Sequence, residues 1–310
     1  MTVPLATTAT PLQYFELFLT VHLWQYLVQH TNAYATVRLG RMPPSRRSLF
    51  RSWKVVTVSE MKAFVGLILN MGLIQLPRLK DYWSTHETLN LQFFRRVFSR
   101  DRFLQIFWML HVGDIDGNTK RSKIQPFLDV VIPLFRQYFT PAQAVAVDEA
   151  MITFRGRVAF RQYVRGKPHP WGIKAYVLAD SASGYLYSLA IYYGKETQLL
   201  SRPDLNHTTR VVLTVTQPLF NQGYDLYTDR FYTSPTLALE LQKVGTTLTG
   251  TVVSDRKGMP NAVREKRRRV KGETRTYYKG SLVCMEWTDK RTIIALSTKH
   301  SNRMVDVSSR

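Results

Sequence analysis

Two aspartates carry the chemistry that this sequence can offer. Asp148 sits with Glu149 inside AVAVDEAMITFRGR (144–157), and Asp229 closes YDLYTD (224–229). Both stretches read as β-strands, being short, apolar and rich in Val, Ile, Tyr and Thr. Successive strand residues face opposite ways, so Asp148 and Glu149 cannot both enter one site. Asp229 ends its strand just before a helix that Thr233 or Ser234 would cap, and such strand ends open onto a shared crevice in α/β sheets. If the two strands are neighbours, the carboxylates converge, and a divalent cation, Mg²⁺ or Mn²⁺, must offset their repulsion. A site of that kind activates water and stabilises a leaving oxygen in phosphodiester cleavage. The competing role for each Asp is a helix cap or a turn residue.

The elements that must position these carboxylates fall into two textures. From about 11 to 139 the pattern is helical, with apolar residues three and four apart in LQYFELFLTVHLWQYLVQH and SEMKAFVGLILNMGLI. Ser59 and Glu60 mark a helix start and Pro77 a stop, and DYWSTHETLNLQFFRRVFSRDRFLQIFWMLHV continues as two or three short helices. From about 140 onward, strands are predicted over 144–154, 173–180, 185–194, 224–229, 246–253, 281–289 and 291–298. Helices fall over 209–223 and 234–245. Three strands, helix, strand, helix, strand describe a mixed α/β sheet whose first three strands form an antiparallel meander.

Composition narrows the partner. The chain has 310 residues, 45% of them hydrophobic, enough for a substantial core, and a net charge of +21. A pI near 10.2 is the footprint of a protein that neutralises phosphates. A membrane partner is not expected: no basic amphipathic helix or lipidation signal is evident, and the uncharged run 63–77 is shorter than the ~20 residues a spanning helix needs. Cys284 is the single cysteine, which excludes a disulfide framework or a Cys-rich zinc site within this chain and points to a reducing compartment. The seven histidines show no metal-ligand spacing. Asp255 to Lys279 holds ten Lys/Arg against three Asp/Glu, a basic run that is either a solvated loop, a nucleic-acid contact or a nuclear-import signal. For a DNA-facing surface the candidates are Arg155, Arg157, Arg161, Lys167 and Lys174 around the first strand, and Arg256, Lys257, Arg267, Arg268 and Arg269 in the basic run. Trp171 is expected to pack in the core rather than stack on a base.

Several ordered motifs carry a resemblance that runs from about Leu12 to Thr298. VDEAMITFRGR, KPHPWGIKAYVLADSASGYLYSLAIYYGK, YDLYTDRFYTS, GTVVSDRKGMP and WTDKRTIIALST, preceded by SWKVVTVSEMKAFVGLILNMGLIQLPRLKDYWS and SRDRFLQIFWMLHVGD, resemble the transposase domain of the piggyBac family. The resemblance implies a ribonuclease-H-like mixed sheet at 140–310, with an incomplete core and a short basic β-rich insertion at about 255–286. It implies a helical dimerisation and DNA-binding region at 11–139 before it. Also implied are a two-metal Mg²⁺ (or Mn²⁺) site, nuclear location, a possible homodimer, and double-stranded DNA partners: transposon ends and TTAA targets. By position Asp148 matches the first catalytic and metal-binding aspartate and Asp229 the second.

Three departures from the family pattern shape the expectation. Arg230 stands where the family usually has Asn, placing a fixed cation beside the site. The family's third aspartate lies in a GGVD stretch beyond the last strand, which is not found before Arg310; Asp289 and Asp306 do not match it. The chain is therefore expected to be a C-terminally truncated form, impaired or inactive in catalysis. Nor is the Cys/His-rich zinc tail of many relatives found, so sequence-specific end recognition is not expected. Two functions stand: a cut-and-paste DNA transposase domain for metal-dependent strand cleavage and transfer, or a domesticated transposon-derived protein that binds DNA or chromatin without catalysis.

Overall fold

A computed structural model describes residues 8–265 and 270–303. The chain divides between Leu134 and Phe135 into two compact units.

The first unit is helical. α1 (Pro11–Phe18) and α2 (Val21–Arg41) replace the single helix that the periodicity over 12–30 suggests, because Leu19 leaves helical geometry and Thr20 caps the backbone N–H of Leu23. α3 (Val58–Leu73) begins one step before the predicted Ser59, with a capping box in which Thr57 and Glu60 satisfy each other's backbone N–H groups. α4 (Gln92–Val97), α5 (Arg100–Met109) and α6 (Gln125–Tyr138) follow. Trp24, Met61, Phe64, Trp83, Phe94 and Phe103 fill the core. Arg102 ties α5 to α3 through two hydrogen bonds to the Glu60 carboxylate, at 2.8 and 2.9 Å. Among the described residues no helix is long and apolar enough to cross a membrane.

The second unit is a single mixed sheet, nine strands among the described residues. β1 (Ala144–Thr153), β2 (Arg161–Tyr163), β3 (Trp171–Asp180) and β4 (Leu186–Ile191) come first, then α7 (His207–Thr216), β5 (Asp225–Thr228), α8 (Pro235–Lys243) and β6 (Thr247–Thr251). After α9 (Asn261–Arg264), β7 (Thr274–Lys279), β8 (Leu282–Thr288) and β9 (Thr292–Ser297) complete it. The spatial order is β2-β3-β1-β5-β6-β9-β8-β7, with β4 also on the β3 edge. β1, β3 and β4 form the expected antiparallel meander, and β1, β5 and β6 run parallel. β7 and β8 continue the sheet beyond β9 by antiparallel pairing.

Alternation along β1 and β3 sorts the two faces. Val145, Val147, Tyr176 and Leu178 are buried in one cluster with Val211, Val212, Leu237 and Leu241, so α7 and α8 cover their face. Burying side chains of this size stabilises the unit by about 1.5–3 kcal/mol each. On the opposite face the same strands carry Ala144, Ala146, Asp148 and Ile152, and there Asp148 and Ile152 are exposed.

Candidate active site

The parallel register brings the two aspartates together. Ala144 pairs with Asp225 and Val147 with Thr228, so Asp148 and Asp229 each follow directly on the last paired residues of β1 and β5. Alternation puts the Asp148 carboxylate on the side away from α7 and α8, and Asp229 stands in the turn that directly follows β5. Both residues are exposed.

Each aspartate uses one oxygen locally. Asp148 Oδ1 accepts from the backbone N–H of Glu149 at 2.7 Å. Asp229 Oδ1 accepts from Phe231 N at 2.9 Å and Tyr232 N at 3.3 Å, the side-chain turn expected of a strand-end Asp. Its backbone carbonyl accepts from Thr233 N (3.0 Å) and Thr233 Oγ1 (2.7 Å). Among the described residues Oδ2 of each carboxylate accepts no hydrogen bond from the protein. Ser234, rather than Thr233, caps α8.

Close packing fixes the Asp229 turn. The hydroxyls of Thr228 and Thr233 meet at 2.7 Å in a buried contact. Gly250 on β6 allows it: a Cβ there would stand 2.2 Å from Thr228 O and 2.4 Å from Thr233 Oγ1. Arg256 braces the same turn from outside, donating to the carbonyls of Arg230 (3.3 Å) and Phe231. Beneath it Tyr232 is fully buried, and its hydroxyl finds no partner among the described residues. Burial, and then the negative charges of Glu149, Asp148 and Asp229, hold that phenol well above the usual tyrosine range. Tyr176, buried beside Glu149, is pushed up to about 12, chiefly by burial.

Glu149 takes the other direction, as alternation requires. It faces the helix-covered side and pairs with Lys167 at 3.7 Å. Lys174 shares that side, its ammonium 5.2 Å from the Tyr176 ring centre and 5.5 Å from that of Phe231. Of the basic candidates among the described residues, Arg161 alone lies on a strand face shared with Asp148, since Arg161 and Ile152 both oppose Ile173. Its guanidinium donates to the carbonyls of Arg155 and Gly156, both at 3.2 Å, and covers Trp171 at 4.6 Å. Arg155, Arg157 and Lys257 are exposed. Arg267, Arg268, Arg269 and Asp306 lie outside the described residues. Asp289 is engaged by Lys271 at 3.3 Å, in the turn between β8 and β9.

One expectation is overturned. Trp171 is 48% exposed and packs against Tyr163, itself 56% exposed, rather than entering the core. It belongs to the face that α7 and α8 do not cover, at the end of β3 that pairs on one side with the short β2. Sequence reasoning missed Tyr232 and Gly250, of which the Gly interrupting TTLTGTVV was the one visible signal of a close backbone approach, and it read Arg256 as a DNA contact without its role as a brace of this turn.

Mg²⁺ is commonly held by one or two carboxylates together with waters and substrate phosphates. Two exposed aspartates, each with an oxygen not engaged by the protein, fit that requirement as hard oxygen donors. Among the described residues no group of three or more His, Cys, Asp or Glu is placed to hold a metal ion.

Comparison with known proteins identifies the family and the fold. A family model described as Transposase IS4 matches residues 10–310. PiggyBac transposable element-derived protein 3 of Homo sapiens is 28% identical over 307 residues, covering 93% of this chain and 48% of that protein. PiggyBac transposable element-derived protein 2 of Homo sapiens is 26% identical over 251 residues, 78% of this chain and 40% of that protein. The chain thus spans about half the length, or less, of these relatives. A piggyBac transposase, solved by cryo-EM as a synaptic complex with hairpin DNA, superposes with a TM-score of 0.79 at 25% identity, over 97% of this chain and 63% of that one. The mixed sheet is therefore ribonuclease-H-like, preceded by a helical region, and the chain belongs to the piggyBac transposase family.

Proposed function

We propose that residues 140–310 are the catalytic part of a cut-and-paste DNA transposase and that Asp148 and Asp229 hold Mg²⁺ or Mn²⁺ while a DNA strand is cut and transferred. The observation that supports this reading is the β1–β5 register, which ends at Val147 and Thr228 so that the two exposed aspartates come next on each side, with an oxygen of each left over. A bound cation there would polarise a phosphate and lower the pKa of an attacking water. The protein's own contribution is to orient both carboxylates through the backbone N–H groups of Glu149, Phe231 and Tyr232. The helical residues 11–139 would serve dimerisation and DNA binding. Transposon ends and TTAA targets would be the double-stranded substrates, and the nucleus the place of action.

The test is nicking of a duplex carrying transposon-type ends. Expected is cleavage, weakened where no third carboxylate is supplied, that requires Mg²⁺ or Mn²⁺ and falls about a hundredfold or more in Asp148→Asn and Asp229→Asn. Equal nicking by both variants and the parent sinks the assignment of the pair.

A second reading, a domesticated binder of DNA or chromatin without catalysis, is favoured by Arg230. It sets an exposed fixed cation directly after Asp229, where a divalent ion would be repelled. Salt-sensitive DNA binding with no metal-dependent nicking would support it.

A further inference from the structure

Tyr163 and Trp171 form an exposed aromatic pair that the acidic site does not use. Their rings lie 5.0 Å apart at 56°, and each keeps about half its surface in solvent. Large aromatics side by side on a surface are costly to hydrate and mark a contact. Trp171 also lines a groove of about 450 Å³ with Thr153, Arg155, Arg161, His169 and Pro170, a size that suits a small planar ligand, and Tyr163 packs against Trp171 beside it.

The sheet register ties this groove to the aspartates. Tyr163 opposes Trp171, Arg161 opposes Ile173, and Ile173 also opposes Ile152. Asp148 opposes Val177, two alternations further along β3 than Ile173. Directly opposed residues share a face. Asp148, Ile152, Trp171 and Tyr163 therefore project from the same side of the sheet. Val177 and Trp171 are six residues apart on one strand, which is about 20 Å. That distance corresponds to about six steps of a DNA strand at 3.4 Å per nucleotide.

Arg161 holds the platform in place. Its guanidinium is committed to two backbone carbonyls and lies over Trp171, so it stiffens the indole and adds positive charge beneath it. A stiff aromatic face beside cationic side chains is the arrangement by which proteins bind unpaired bases: the ring stacks on the base while the cations follow the backbone. A paired base inside a duplex offers no face for such stacking.

We infer that Tyr163 and Trp171 are a stacking platform for an unpaired nucleobase of a DNA strand that runs along this face to the acidic pair. This rests on the DNA-processing reading above and adds to it a single-stranded element about half a helical turn from the carboxylates. Phosphate contacts by Arg155 would hold duplex and single strand alike; the aromatic pair would hold only the latter.

The experiment measures binding of an oligothymidylate and of a duplex of equal length by fluorescence anisotropy, in EDTA so that cleavage plays no part. Trp171→Ala is expected to weaken the single strand about tenfold or more while the duplex changes less than about twofold, and Trp171→Phe to restore most of the loss. Tyr163→Ala, at the edge of the sheet, gives the same readout if the Trp171 variant does not fold. An equal loss for both probes, or no loss for the single strand, overturns the inference. Asp148→Asn should lose nicking without the loss of oligothymidylate binding that Trp171→Ala shows, so the platform and the catalytic pair fail separately.

Discussion

The Asp229 turn is over-determined, and Tyr232 and Gly250 show in opposite senses what that requires. The Tyr232 hydroxyl lies buried without a partner among the described residues, so it contributes desolvation cost and no hydrogen bond. Replacing it by hydrogen removes that cost. Tyr232→Phe is therefore expected to leave stability unchanged or raised by about 1 kcal/mol, read as the midpoint of urea unfolding. A loss above about 2 kcal/mol would show that the hydroxyl has a partner after all. Gly250 is the reverse case, because a Cβ there would meet Thr228 O at 2.2 Å and Thr233 Oγ1 at 2.4 Å. The backbone on both sides is in paired strands and cannot retreat without parting β5 from β6. Gly250→Ala should cost about 1–3 kcal/mol in the same measurement, and an unchanged midpoint would mean the strands separate freely. The pair Asp148 and Asp229 was legible in the sequence as residues and as strand positions; the hydroxyl contact and the glycine that permits it were not, since both depend on which strand lies next to β5.

Elements with strong local signals were legible, and the others failed for identifiable reasons. The meander β1-β3-β4, the helices α7 and α8, and the strands β5, β6, β8 and β9 all overlap the predicted stretches, with β3 and α7 each starting two residues earlier, because each is a run of Val, Leu, Ile, Tyr or Thr bounded by turn residues. β2 has three residues, Arg-Gln-Tyr, too few for alternation to register. β7, Thr-Arg-Thr-Tyr-Tyr-Lys, is hidden inside a basic run because it lies at the sheet edge, where charge is tolerated. In the helical unit the break between α1 and α2 is a capping event, not a change of periodicity. The joint between α3 and α5 makes a prediction at this scale. Hydrogen bonds from Arg102 hold the Glu60 carboxyl below the usual glutamate range against the opposing effect of burial. A carboxylate whose folded pKa is depressed contributes stability above its unfolded pKa and loses it as pH falls through the folded one. The helical unit should therefore lose this contribution from about pH 4 downward. Arg102→Met should cost about 2 kcal/mol at neutral pH and flatten that acid limb. Thermal unfolding followed by circular dichroism across pH tests both, and an acid limb as steep in the variant as in the parent excludes the pair as its cause.

Across the whole molecule the excess of positive charge does not translate into equal DNA contacts. The net charge of +21 says that the chain attracts phosphate, and it does not say which cations are available. Lys167 is already paired with Glu149, Lys174 lies over the rings of Tyr176 and Phe231, and Arg161 and Arg256 donate to backbone carbonyls. Arg155, Arg157 and Lys257 are exposed, and none of them donates a side-chain hydrogen bond or forms an ion pair among the described contacts. Each cation that neutralises a phosphate releases about 0.9 of a counterion from duplex DNA, so the slope of log affinity against log salt counts such contacts. Removing Arg155 and Arg157 together, as glutamines, should reduce that slope by about two and leave the unfolding midpoint within about 0.5 kcal/mol of the parent. Arg256→Gln should do the opposite. It withdraws the brace on the Arg230 and Phe231 carbonyls, so stability falls by about 1–2 kcal/mol while the slope changes by less than one. Titrations at four salt concentrations, set beside urea unfolding of the same proteins, separate the two classes. If Arg256→Gln lowers the slope as much as the exposed pair does, its guanidinium leaves the turn when DNA arrives and the brace is not a fixed part of the site.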